Sequence, residues 1–245
     1  MQADAPQWKR KAPNFIAIMF LLGATVGPAI DGIHGQVHLL TYDKAPLILG
    51  NLHTSAWVFA LLGAFYATIG ACFPALDALA LRQGSGGAWE AGRTSPEGGG
   101  DDAGQEEPDQ AQDGWLITAT QRAVSRADAG HAALSLGVVA GLHQLSSVLY
   151  AAGVPYHEIG ADLAAAAALN WLLFDGTPQG LALAALCGIG APTSELFLMK
   201  LLGLWHYEAP DLVVAGVGLP SWVPWCYFFY TAWLANAARA LWKHL

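Results

Sequence analysis

Apolar residues in this chain gather into six long runs separated by short polar or glycine-rich breaks. The runs lie near Phe15–Ile30, Leu52–Phe73, Gly130–Ala152, Ile159–Phe174, Leu181–Leu202 and Leu219–Leu241. Each approaches the roughly 17–25 residues that carry a helix across a bilayer. A tryptophan or tyrosine stands near many of their ends (Trp57, Tyr150, Trp171, Trp205, Trp222, Trp242), as an interfacial aromatic belt requires. The pattern predicts an all-α polytopic membrane protein, a six-transmembrane-helix bundle. Residues 1–13 form an N-terminal tail, 14–81 the first two spans, and 115–245 the last four.

The break between the second and third spans is of another kind. Residues 82–114, "RQGSGGAWEAGRTSPEGGGDDAGQEEPDQAQDG", are rich in Gly, Ser, Pro and acids and hold too little apolar surface to fold, so a disordered acidic loop is expected. Arg122 and Arg126 follow on a short amphipathic stretch expected at the membrane surface.

Composition sharpens this picture. The 245 residues have a mean hydropathy of +0.37, are 54% hydrophobic and only 12% charged, against roughly 25% charged in soluble proteins. The net charge of −8 is mostly local. Between Arg82 and Asp113, eight acids face two arginines. No basic face is left for nucleic acid. The three cysteines, Cys72, Cys187 and Cys226, all lie inside apolar runs and make no disulfide framework.

With six spans, nine of the eleven basic residues fall on the side that carries both termini: Lys9, Arg10, Lys11, Arg82, Arg93, Arg122, Arg126, Arg239 and Lys243. Only Lys44 is on the other side, and Lys200 lies within the fifth span. The positive-inside rule then puts both termini in the cytosol, or in the stroma of a plastid.

Three features carry candidate chemistry. "DGIHGQVH" places Asp31, His34 and His38 at a spacing that suits a metal on one helical face, although the flanking Gly and Pro argue against a continuous helix and no second histidine box exists. A metal-dependent lipid-modifying enzyme is the resulting alternative. Glu195 and Lys200 are ionisable groups inside the fifth span, five positions apart and so poorly placed to pair. A transporter built on them would be expected to show inverted repeats, and none is apparent. Asp77 and Asp175 close the second and fourth spans, where the helix dipole disfavours an acid, and no basic residue stands near Asp175 in sequence. No GxSxG-type or phosphate-loop context occurs.

The order "SAWVFALLG…IGACFPALD" (Ser55–Asp77), "WLLFDGTPQGLAL" (Trp171–Leu183), "YEAPDLVVAGVGLPSWVPWCYFF" (Tyr207–Phe229) and "LANAARALW" (Leu234–Trp242) resembles the insulin-induced gene (INSIG) family. The block before Trp57 looks more like the INSIG-like proteins of plants and algae. The resemblance implies a non-catalytic protein of the endoplasmic reticulum membrane, or of a plastid membrane, with no cofactor. It would bind a membrane protein partner of the sterol-sensing-domain type and hold a sterol, oxysterol or other lipid, so regulating sterol or lipid metabolism. Asp175 matches the family's partner-contacting aspartate, and Asp77 stands at the matching exit of the second span. Trp57, Glu158, Glu195 and Trp222 are the expected ligand and cavity residues. A partner's donor would then explain the disfavoured position of Asp175.

Overall fold

A computed structural model describes residues 4–91 and 108–245, with side chains over 8–82 and 114–245. The elements run in the order α1 (Asp4–Gln36), β1 (Leu40–Tyr42), β2 (Pro46–Leu49), β3 (Leu52–Ser55), α2 (Ala56–Ala91), α3 (Pro108–Arg126), α4 (Ala129–Ala151), α5 (Tyr156–Phe174), α6 (Pro178–Leu202), β4 (Trp205–Tyr207), β5 (Leu212–Val214), β6 (Val217–Leu219) and α7 (Val223–His244). Each of the six apolar runs supplies its own helix, although the second opens with β3 (Leu52–Ser55) and the sixth with the last residue of β6, so α2 and α7 begin later than expected. The stretch bearing Arg122 and Arg126 is α3. The expected acidic loop falls for its central part, 92–107, outside the described residues; helix extends into it as far as Ala91 and resumes at Pro108.

Four helices, α1, α2, α4 and α6, are long and apolar enough to cross a membrane. α5 falls short of that standard mainly through the exposed His157, Glu158 and Asp162 of its first turns, and α7 because it carries polar side chains that are buried rather than offered to lipid. Asn170, Asn236 and Arg239 are at most 2% exposed. α7 is the central helix. α6, α5, α4 and α2 all pack on it, and Phe229, Leu234, Ala235 and Ala238 are fully buried.

α1 runs unbroken through Pro13 and Pro28 and through the glycines that argued against a helix at "DGIHGQ". Those glycines serve packing. A Cβ on Gly23 would meet the Leu62 carbonyl oxygen at 2.3 Å, and one on Gly27 would meet the Leu62 side chain at 2.8 Å. Gly32 and Gly35 abut Leu52 and His53 in the same way. Small residues let α1 and α2 approach along their length, the usual device for association where lipid offers no hydrophobic drive.

The two chain ends meet at one end of the bundle: Trp8 and Trp242 have ring centroids 4.5 Å apart, and Lys11 Nζ donates to the Trp242 carbonyl at 3.3 Å. The opposite end is closed by ribbons. β1 pairs antiparallel with β4, Thr41 opposite His206, and so ties the α1–α2 connection to the α6–α7 connection. β2–β3 and β5–β6 are hairpins. The second turns on Ala215 and Gly216, both at positive φ, as a two-residue hairpin turn of the favoured twist requires. Lys44 Nζ donates to the Leu202 carbonyl at the C-terminus of α6, satisfying an acceptor that the helix itself leaves open.

Candidate functional site

The segment "FDGTPQG" is a compound helix junction. The amides of Asp175 and Gly176 both donate to the Trp171 carbonyl, at 2.9 and 2.8 Å, and Gly176 takes the left-handed conformation that ends α5. Thr177 caps α6 through its hydroxyl, which accepts from the Gly180 amide at 3.0 Å, and Pro178 opens the helix. Asp175 therefore follows one helix but overhangs the first turn of the next. A Cβ on Gly180 would lie 1.4 Å from Asp175 Oδ2. The expectation that the dipole disfavours this acid is corrected: its carboxylate faces the positive end of α6.

The expectation that no basic residue neutralises it is corrected too. Arg239 on α7 donates through Nη1 to Asp175 Oδ1 at 2.5 Å, through Nε to Asp77 Oδ2 at 2.7 Å and through Nη2 to Asp77 Oδ1 at 3.0 Å. All three side chains are at most 5% exposed. Asp77 does not close its helix, since α2 continues to Ala91. Gln179 Nε2 donates to Asp77 Oδ1 and to Thr120 Oγ1, both at 2.9 Å, which brings α3 into the network. Phe73 lies under the guanidinium, 5.4 Å away. A planar fork is needed to hold one carboxylate with two parallel bonds and reach a second, and lysine lacks it. Arg239 appeared in the sequence only as one cationic residue among nine; its position three residues after Asn236, within an apolar run, was the available signal of an internal role.

At the ribbon end two adjoining cavities of about 50 and 140 Å³ share Asp31, Leu40, Leu62, Phe65, Glu195 and Tyr227. Tyr42 donates its phenolic hydrogen to Asp31. Glu195 accepts from Tyr207 at 2.8 Å and from Tyr227. Tyr42 and Tyr207, on the paired strands β1 and β4, are also held almost wholly as neutral phenols, because burial and the neighbouring carboxylates push both well above the usual phenol range. A third hollow of about 310 Å³, apolar, lies between α6 and α7 against Ile189, Trp225 and Phe228.

Of the residues expected at a ligand cavity, Glu195 lines one. Trp57 is 53% exposed, Glu158 is exposed at the start of α5 beside His157, and Trp222 is fully buried against the His34 ring. Lys200 is exposed and Glu195 bonds tyrosines instead. The proposed metal set does not assemble as one helical face. α1 ends at Gln36, between the two histidines, and His38 sits beyond it at positive φ near His53. His34 points inward and donates from Nε2 to Ser146 Oγ at 2.8 Å, because the Ser146 hydroxyl hydrogen goes to the His143 carbonyl. Among the described residues no group of three or more His, Cys, Asp or Glu could hold a metal ion. The sequence reading missed Tyr42, Tyr207 and Tyr227, for which the only signal was a concentration of tyrosine around the span ends.

No described protein family and no curated protein matches the chain. Its fold is similar to a solved structure. The crystal structure of MvINS, an Insig homologue from Mycobacterium vanbaalenii, superposes with a TM-score of 0.61 at 19% identity, over 93% of this chain and 94% of that one. A cross-linked trimer of a cysteine variant of MvINS superposes equally well, at 20% identity. The chain thus has an Insig-like fold and is a membrane protein. Both neighbours are mycobacterial, so the plant and algal subtype finds no support among them.

Proposed function

We propose that this chain is a non-catalytic, six-span membrane protein of Insig type that binds another membrane protein and takes a lipid into its ribbon-end cavity. The observation that carries the reading is the Insig-homologue fold followed over 93% of the chain. Six spans are supported by the meeting of Trp8 with Trp242 at one end of the bundle and by the ribbons at the other. An even number of crossings returns the chain to its starting side, and the basic residues then put both termini in the cytosol. The endoplasmic reticulum membrane is the location the resemblance to the INSIG family favours, a plastid membrane the alternative, and the organelle of a tagged chain decides between them. A sterol or another lipid is the ligand class. The partner is a membrane protein of the sterol-sensing-domain type that the family resemblance implies.

In this reading Asp77 and Asp175 act on the partner through shape. With Arg239 they fix α2, α5 and the α5–α6 junction against α7, and the lipid-facing row Leu169, Leu172 and Leu173 of α5 is presented at the angle they set. The test is purification of the tagged full chain from its own membrane in mild detergent. A membrane protein in fixed stoichiometry, lost from a folded Asp175→Ala variant, supports the reading. A chain that purifies alone, or a folded variant with an unchanged partner, contradicts it.

A further inference from the structure

The two ends of the bundle treat buried acids differently. At the terminal end Asp77 and Asp175 share Arg239. At the ribbon end Asp31 and Glu195 line one cavity, and neither lysine nor arginine is among its lining residues. Their partners Tyr42, Tyr207 and Tyr227 give hydrogen bonds but no charge. His34, also on the wall, has its Nε2 hydrogen committed to Ser146. Unlike its counterpart, this site holds two buried carboxyl groups among hydrogen-bond donors, with no lysine or arginine lining it.

The rest of the wall suits one. Phe65, Tyr42, Trp205 and Tyr227 are aromatic, and ring faces attract cations. Depth agrees as well. Asp31 precedes the end of α1, and Glu195 the end of α6, by about 8 and 10 Å at 1.5 Å per residue. Both carboxylates therefore lie near the ribbon-end termini of their helices rather than at mid-helix.

We propose that this cavity binds an organic ammonium group between Asp31 and Glu195, with its alkyl portion against Phe65, Leu61 and Leu198. The ammonium fills the role that Arg239 fills at the far end. The inference rests on the cavity being the ligand site, as proposed above, and adds the chemical class of the ligand. A protonated amine can arrive as part of a lipid or as a free small molecule.

The test is a thermal-shift titration of the full chain in neutral detergent at neutral pH, with dodecylamine, ethylamine and 1-dodecanol as separate probes. Dodecylamine is expected to raise the transition temperature saturably and the uncharged alcohol to bind at least about tenfold more weakly, as loss of a charge-assisted contact does. Glu195→Gln should weaken the amine by a similar factor, with Asp31→Asn carrying the same comparison if that variant fails to fold, while the exposed Glu158→Gln leaves it unchanged. Binding of dodecylamine alone assigns a lipid-borne amine, and equal binding of ethylamine a free one. Dodecanol binding as tightly as dodecylamine, or undiminished amine binding by both carboxylate variants, overturns the ammonium while leaving a ligand site. No saturable shift with any probe overturns both.

Discussion

Arg239 Nη1 lies 2.5 Å from Asp175 Oδ1, across 64 residues of sequence, with the arginine side chain 1% and the aspartate 2% exposed. With the fork to Asp77, this contact joins α2, α7 and the α5–α6 junction at one point. It stands where neither water nor lipid can replace it.

Removing the cation alone should therefore be severe. Arg239→Gln leaves two buried carboxylates facing each other and is expected to cost about 3–5 kcal/mol, the usual penalty for breaking a buried pair from one side. Replacing all three members with apolar residues of similar volume should be far milder. Thermal unfolding of the single and triple variants in one detergent checks this; a single variant as stable as wild type contradicts it.

The glycine stripe of α1 predicts a sharp positional contrast. Gly23→Ala drives a methyl into the Leu62 carbonyl and the Tyr66 side chain and should cost about 1–3 kcal/mol by overpacking. Gly137→Ala on α4 meets nothing within 4 Å and should be neutral or gain up to about 1 kcal/mol from helix propensity. The two transition temperatures, measured side by side, decide it.

The ribbon end should respond to pH through His206. Its hydrogen bond to Asp43, at 2.9 Å, raises the imidazole above its ordinary value, against a smaller opposing effect of burial. A folded value above the unfolded one means the stabilisation is complete below the unfolded value near 6.5 and is lost as pH rises through the folded value. Both side chains are about half exposed, so the effect is local. Amide exchange across the β1–β4 pair should quicken between mildly acidic and alkaline pH in wild type, relative to the intrinsic rate, and this excess should vanish in His206→Ala. Equal pH dependence in both would remove the pair from the account.

Much of this molecule is visible in the one-dimensional pattern, and the remainder is hidden for identifiable reasons. Each of the six apolar runs supplies a separate helix because helical hydrophobicity is a local property, while the strand at the start of the second run was not legible. The cap at Thr177 with Pro178 is equally local. Arg239 and Asp77 are 162 positions apart, and their meeting depends on how α2 and α7 pack, which no spacing rule reports. The strands are three or four residues long, too short for a period-two signal, and β1 finds β4 across most of the chain. Pro28, Gly32 and Gly35 read as helix breakers but are tolerated, since close packing on Leu62, Leu52 and His53 stabilises the helix they would otherwise weaken. The cavity was only partly legible: Glu195 stood out as a charge in an apolar run, whereas Tyr42, Tyr207 and Tyr227 reach it from both connections and from α7.

The account turns on a bundle whose chain ends share one side of the membrane while the ribbons and the cavity between Asp31 and Glu195 open at the other. Single cysteines placed at Gln7, Gly50, Gly216 and Leu245 in a background with Cys72, Cys187 and Cys226 replaced, probed with an impermeant thiol reagent in sealed vesicles, test it most directly. Labelling of the two tails from one side and of the two hairpin tips from the other is the predicted result. Tails that label from opposite sides, or hairpin tips that label together with the tails, would contradict it.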